Sequence, residues 1–309
     1  MFRACQSILK VVSYFDVFQY PVKKEEIISF LDSSYPEITI DAAIEFLVEK
    51  EIIYRQEEFY MLQNNYLLIT RRKEGNEKAI RLLAIAKRMA TLLSGFPYVR
   101  GVAVSGSLSK NFADEKADID FFIIAKSNRL WIARTLMHLF KKLTFLVGRQ
   151  HWFCMNYYID ESSLQIREKN IFTATEVVTA MPMRGKKVVE DFRKANGWVY
   201  DYFPLYVNND KDCRRSLRGP FKIFAEWIFN NRFGNWLDDK LMNVTVRRWK
   251  KKTQRKKLNS HGILMGMDAG KHYSKPIPGH LQEKVVRRFN LKMEQLMMEL
   301  ESLRTASAV

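Results

Sequence analysis

The sequence predicts an α+β protein in three parts. These are a small helical unit with a hairpin over residues 1–62, a small mixed sheet with its leading helix over 63–185, and a helical region over 186–309. Three observations predict this. Apolar residues recur at helical steps in the first and last parts. The middle part alternates apolar runs suited to buried strands with amphipathic stretches. Gly, Pro and polar clusters separate the segments. A chain of 309 residues exceeds one simple core, and 47% hydrophobic content is enough to fold it.

The first element, "ACQSILKVVSYFDVF", has helical spacing through Ile8, Val11, Val12, Phe15 and Phe18. "YPVKKEEIISFL" places Pro21 near a first turn and Glu25 and Glu26 early, which suits a helix N-terminus. "TIDAAIEFLVEKEII" is a third helix, with Thr39 or Asp41 as cap and Ile44, Leu47 and Val48 inward. "IIYRQEEFYML" reads as two short strands around a tight turn. Three helices followed by a hairpin is the order of a winged helix-turn-helix. DNA reading by this unit is not expected, because its third helix carries Asp41, Glu45 and Glu49 against one cation, Lys50. A protein-contact or packing role is expected instead.

"EGNEKAIRLLAIAKRMATLLSG" (74–95) is an amphipathic helix with a stripe through Ala79, Leu82, Leu83, Ala86, Met89, Ala90 and Leu93, stopped by Gly95 and Pro97. "YVRGVAVSG" is a first buried strand, "DIDFFIIA" a second with cover on both faces, "RLWIARTLMHLFKKL" a helix, and "HWFCMNYYI" a third strand. "FTATEVVTAMPM", "KKVVEDFRKANGWVYDYF", "GPFKIFAEWIFNNRFGNWLDDKLM" and "PGHLQEKVVRRFNLKMEQLMMELESL" carry helical patterns; "SHGILMGMDAGKHYSKPIPG" reads as a loop.

The formal net charge is +17, which predicts attraction to polyanions. The densest cluster is "RRWKKKTQRKK" (247–257), eight basic residues in eleven; its plain reading is a solvated helix face or basic linker. Cys5, Cys154 and Cys213 lack metal-ligand spacing and read as reduced thiols of a cytoplasmic protein. The N-terminal stretch shows no secretory pattern, and no run reaches the ~18 apolar residues of a membrane span. "LWIARTLMHLFKKLTFLV" comes nearest but is interrupted by Arg134, His138, Lys141 and Lys142, so no membrane partner is expected.

The informative stretch is "VAVSGSLSKNFADEKADIDFFIIAK" (102–126). On a strand, Asp118 and Asp120 project from the same face. Two close carboxylates repel, so one should have a raised pKa unless a cation lies between them. Mg²⁺ prefers oxygen ligands, often one or two carboxylates plus substrate phosphates. Gly106 and Ser107 follow the first strand; a glycine permits a tight turn, and backbone N–H groups there can cradle phosphate oxygens. Ser109 and Lys110 are near enough to assist. Asp114 and Glu115 read as solvated loop residues.

Gly106-Ser107, a ten-residue spacer, then Asp118-Ile119-Asp120-Phe121 entering a strand resembles the signature of the DNA polymerase beta-like nucleotidyltransferase superfamily. The longer "GSLSKNFADEKADIDFFII", with "SNRLWIARTL", "NYYIDESSLQIREKNIFTATEV" and "YFDVFQYP", also resembles a bacterial group of stand-alone nucleotidyltransferase-domain proteins. In that group a winged-helix-like segment comes first and a helical tail closes the chain. The likeness covers most of residues 1–180. It implies a small mixed-sheet nucleotidyltransferase domain with Mg²⁺ or Mn²⁺ held by three carboxylates. Asp118 and Asp120 would be the catalytic metal ligands, and Gly106 and Ser107 would hold a nucleotide triphosphate.

The sequence departs from the family at the third acid. Mid-strand stand Met155, Asn156 and Tyr157; Asp160 ends the strand and Glu161 follows. Asn156 through its carbonyl, or Asp160 through an offset strand, would complete the metal site, and Glu176 is a more distant candidate. Two functions follow. One is a metal-dependent transfer of a nucleoside monophosphate to an acceptor, with RNA or another anionic acceptor meeting the basic 247–257 segment around Trp249. The other is a catalytically impaired nucleotide-binding or winged-helix regulatory protein. His272, beside Lys271 and Lys275, reads as a loop surface residue that could meet a phosphate.

Overall fold

The computed structural model of the chain describes residues 1–115, 117–144, 152–208, 213–256, 258, 266–276 and 280–306, without the side chains of Asn156 and Ala306. The N-terminal unit runs α1 (Phe2–Asp16), β1 (Val22–Lys23), α2 (Lys24–Ser29), α3 (Glu37–Glu49), β2 (Tyr54–Gln56) and β3 (Phe59–Met61). Its three strands pair antiparallel in the order β1-β3-β2. The three helices and hairpin match the expected order, with β1 added. The acids of α3 meet neighbouring cations, Glu37 and Asp41 with Lys24 and Glu45 with Arg55.

The next helix, α4 (Tyr66–Ser94), begins earlier than the expected residue 74. Asn65 caps it, its side chain accepting the Leu67 N–H at 3.0 Å. Gly75 lies inside the helix instead of starting it. A β-carbon there would lie 2.2 Å from the Phe112 ring, so the missing side chain lets that ring pack on the helix.

The main sheet has six strands in the order β7-β4-β5-β6-β9-β8. They are β4 (Val99–Val104), β5 (Asp120–Ala125), β6 (Cys154–Asp160), β7 (Met181–Arg184), β8 (Met267–Gly270) and β9 (Tyr273–Pro276). The β5–β6 pair is parallel, joined by the crossover helix α5 (Leu130–Thr144), and the other pairs are antiparallel. Two strand assignments correct the sequence reading. Helix α6 (Ile171–Thr179) ends at Ala180, and Met181–Arg184 forms edge strand β7, where Pro182 is tolerated. The segment read as a loop contributes the β8–β9 hairpin, which adds to β6 and puts strands into a region expected to be helical.

The remaining helices are α7 (Lys186–Ala195), α8 (Pro220–Phe229), α9 (Arg232–Gln254) and α10 (Leu281–Ala306). Two cores flank the main sheet. Phe122 and Ile124 of β5 point into the first, which joins the N-terminal unit to α6, α7 and α10. Phe121, Ile123 and Ala125 point into the second, with α4, α5 and the apolar side of α9. The expected cover on both faces is present. The N-terminal and C-terminal segments meet directly, Tyr14 packing edge-on against Phe289 and Asp16 pairing with Lys292 at 2.6 Å. Helix α8 presents an unusual face. It buries Lys222 on the Ser94 and Val99 carbonyls and pairs Glu226 with Arg100, while Phe221, Phe224 and Trp227 are exposed.

No helix among the described residues is long and apolar enough to cross a membrane.

Candidate functional site

The site is built where β4 ends beside the start of β5. The Ser105 N–H donates to the Asp120 carbonyl at 2.9 Å, so the chain leaves β4 already held against β5. It then turns at Gly106 with φ +72°, and a single 3₁₀ turn over Leu108–Lys110 follows, ending at Asn111 in the left-handed region. A β-carbon on Gly106 would lie 2.9 Å from the Asp120 Oδ2. Both the backbone conformation and the closeness of that carboxylate therefore require glycine.

Asp118 precedes β5 and Asp120 is its first residue. Ile119 between them is fully buried, while both acids keep part of their surface exposed. The alternation predicted from the sequence therefore holds, and the acids share the face that carries Phe122 into the first core. Burial first, and then the charge of Asp118, push the Asp120 carboxyl up to about 7. A hydrogen bond from Cys154 acts the other way. The thiol itself is pushed up to about 12 by burial and by Asp120, so it remains a protonated donor.

A third carboxylate reaches the turn from α6. Glu176 Oε2 accepts the Gly106 N–H at 3.2 Å, and its Oε1 accepts from Lys110 Nζ at 2.7 Å. Lys110 Nζ also donates to the Gly106 carbonyl at 3.1 Å. Ser109 Oγ donates to the same carbonyl at 2.8 Å, which fixes the loop internally. From the N-terminal unit, the Tyr20 hydroxyl donates to the Lys110 carbonyl at 2.7 Å. Elements far apart in sequence thus clamp one glycine turn.

This turn opens on a cavity of about 620 Å³. Ser105, Gly106, Ser107, Lys110, Asp120 and Glu176 form its polar end. Tyr14 and Phe15 of α1, Phe18 just after that helix, and the start of α10 also line it.

The structure brings Gly106, Ser107, Ser109, Lys110, Asp118 and Asp120 into one neighbourhood, with Ser109 and Asp118 outside the cavity lining. It does not bring Asp160 there. In the parallel register Cys154 lies opposite Asp120, whereas Asp160 lies opposite Ala125. At about 3.3 Å per residue the two acids stand about 16 Å apart along the strands. Asp160 is instead a fully buried organiser. It accepts the Asn128 N–H at 3.0 Å and the Ser162 N–H at 2.9 Å, and it lies 2.9 Å from His272 Nδ1. His272 lies in the turn between β8 and β9, partly exposed as expected of a loop residue, and this contact directs its Nδ1 to Asp160. Lys275 pairs with Glu168. The register skips Asn156 between Met155 and Tyr157, and its side chain lies outside the described residues. Asp114 is exposed in the loop, as expected, and pairs there with Arg71 at 2.9 Å.

The residue that sequence reasoning placed at a distance is Glu176. Nothing local marks it, because its position depends on how α6 folds back over the turn. Among the described residues no group of three or more His, Cys, Asp or Glu is gathered for a metal ion. The pair Asp118 and Asp120 nevertheless has the donor chemistry of a hard-cation site, two neighbouring carboxylates of which Asp120 is raised to about 7 by burial first and by the charge of Asp118 second.

No family model, curated protein or solved structure matches this chain.

Proposed function

We propose that the chain is a metal-dependent nucleotidyltransferase, moving a nucleoside monophosphate from a nucleotide triphosphate to an acceptor. The observation that carries the proposal is the Gly106 turn, left-handed and pressed against the Asp120 carboxylate at the mouth of a cavity. Asp118 and Asp120 would hold Mg²⁺ or Mn²⁺, which supplies charge stabilisation at the transferring phosphoryl group when bound. The ion would also offset the burial and the charge of Asp118 that together raise Asp120. Ser107 and the backbone N–H groups of the turn would hold phosphate oxygens. Ser109 and Lys110 support that turn from below: Lys110, which the sequence suggested as a phosphate ligand, offsets the charge of Glu176. Glu176 replaces Asp160 as the candidate for the third carboxylate.

A second reading has its own support. With Glu176 paired to Lys110 and accepting the Gly106 N–H, the third carboxylate of the family pattern is already engaged, which favours a nucleotide sensor without turnover. The basic 247–257 segment is also badly placed to present an acceptor. It ends α9, whose apolar side packs on the sheet face opposite Asp120. Incubation with α-³²P-labelled nucleotide triphosphates, Mg²⁺ or Mn²⁺ and candidate acceptors separates the readings. Label transfer that disappears in Asp118→Ala and Asp120→Ala supports the transferase. Tight binding without transfer or pyrophosphate release supports the sensor.

A further inference from the structure

A second cavity, of about 560 Å³, lies between α5 and α9 on the sheet face away from Asp120. Six cations line it: Arg134, Lys142, Arg248, Lys251, Lys252 and Arg255. No acidic side chain is among the described lining residues. Like charges gathered around one concavity repel unless something neutralises them.

The floor of the cavity makes the imbalance sharper. Arg134 is 9% exposed and meets no carboxylate among the described residues; its guanidinium lies over the rings of Trp131 and Tyr158. Its Nε and the buried Nε2 of His138 have no hydrogen-bond partner among the described residues. Buried cations are ordinarily paired, and buried donors are ordinarily satisfied. Burial, followed by the charges of Arg134, Lys141 and Lys142, lowers the His138 imidazole to about 3 and keeps it neutral. One wall carries Trp249, with Lys252 Nζ 5.0 Å from its ring centroid. The three acids between residues 213 and 256 are turned elsewhere: Glu226 pairs with Arg100, Asp238 accepts the Ile132 N–H, and Asp239 pairs with Lys271.

We infer that this cleft binds the phosphodiester backbone of single-stranded RNA, with phosphates on the six cations and a base against Trp249. The shared chemistry is a phosphate-bearing anion. An aromatic ring and an aliphatic neighbour, Leu139, beside the cations fit a nucleotide strand better than bare phosphate. A phosphate oxygen reaching the floor would give Arg134 its missing counter-charge and its Nε a partner. This inference is independent of the reading of Asp118 and Asp120, because the cleft lies on the other face of the sheet.

The test is fluorescence anisotropy of a labelled oligouridylate with the full chain over a series of KCl concentrations. Binding should weaken steeply with salt, with a log–log slope of about −2 to −4 for three to six phosphate contacts. Arg248→Ser combined with Lys252→Ser should weaken binding at least about tenfold without changing the melting temperature, since both residues lie on the exposed side of α9. Removing the same charge at Arg287 and Arg288 of α10 should leave affinity nearly unchanged. Trp249→Ala should weaken oligouridylate binding while preserving its salt slope. Equal losses in the α9 and α10 variants would overturn the inference, because general charge would then explain binding. It would also be overturned if inorganic tripolyphosphate displaced the strand at equal phosphate concentration and Trp249→Ala had no effect. That result would mark a bare phosphate site.

Discussion

Asp120→Asn should stabilise the metal-free protein at alkaline pH and not at acidic pH. In the folded chain the Asp120 carboxyl is raised from its ordinary 3.8 to about 7, mainly by burial and secondly by Asp118. Unfolding therefore releases a proton between those values, and stability contributed by this group falls as pH rises from about 4 to 7. At about 1.4 kcal/mol for each pH unit, the ionised carboxylate costs at most about 4 kcal/mol above pH 7. Asp120 is partly exposed on the cavity side, so solvent screening reduces this to about 1–3 kcal/mol. That is a large part of the roughly 5–15 kcal/mol of a typical native state. The assay is urea denaturation of both proteins in EDTA at pH 5 and pH 8.5. The variant should match the parent at pH 5 and gain stability at pH 8.5, and Mg²⁺ should then stabilise the parent more than the variant. Equal stability of the two proteins at pH 8.5 would refute the reasoning, because the carboxylate would then be relaxed.

Gly106→Ala forces a side chain into a left-handed position against Asp120, at a cost of about 1–2 kcal/mol. Calorimetry should show a lower melting temperature, and nucleotide titration should show at least about tenfold weaker triphosphate binding. Asp160→Asn perturbs a buried hydrogen-bonded carboxylate and should cost about 1–3 kcal/mol in denaturation while leaving Mn²⁺–nucleotide affinity unchanged. Glu176→Gln keeps an acceptor for the Gly106 N–H but loses the ion pair with Lys110. Nucleotide should still bind, and any label transfer should drop sharply if Glu176 is the third carboxylate.

The sheet's central strands and the acid pair were legible because their signals are local. Alternation around Ile119 and the apolar run Phe121–Ala125 decide orientation within a few residues. The start of α4 was also written in the chain, as Asn65 before Tyr66, Leu67 and Leu68. Gly75 disguised it, because the use of that glycine depends on Phe112, far along the chain. The hairpin around His272 was not legible. Its strands, MDAG and YSKP, are four residues each, hold Asp, Ala, Gly, Lys and Pro, which are poor strand formers, and pair where β6 offers an open edge. Likewise Met181–Arg184 pairs as a strand because β4 lies beside it, although Pro182 argues against a strand in isolation. The third carboxylate was obscured for the same reason. A search along the next strand finds Asp160, which is nearer in type and order, but register moves it to the far end. Glu176 arrives from a helix, and no spacing rule in the sequence predicts that contact.

The most direct measurement of the central claim is calorimetric titration of each ribonucleoside triphosphate with Mn²⁺ into the parent chain and Asp120→Asn. Metal-dependent binding of at least one triphosphate to the parent, and its loss in a variant that remains folded, is the expected result. Unchanged affinity in the variant, or binding that ignores the metal, would contradict it.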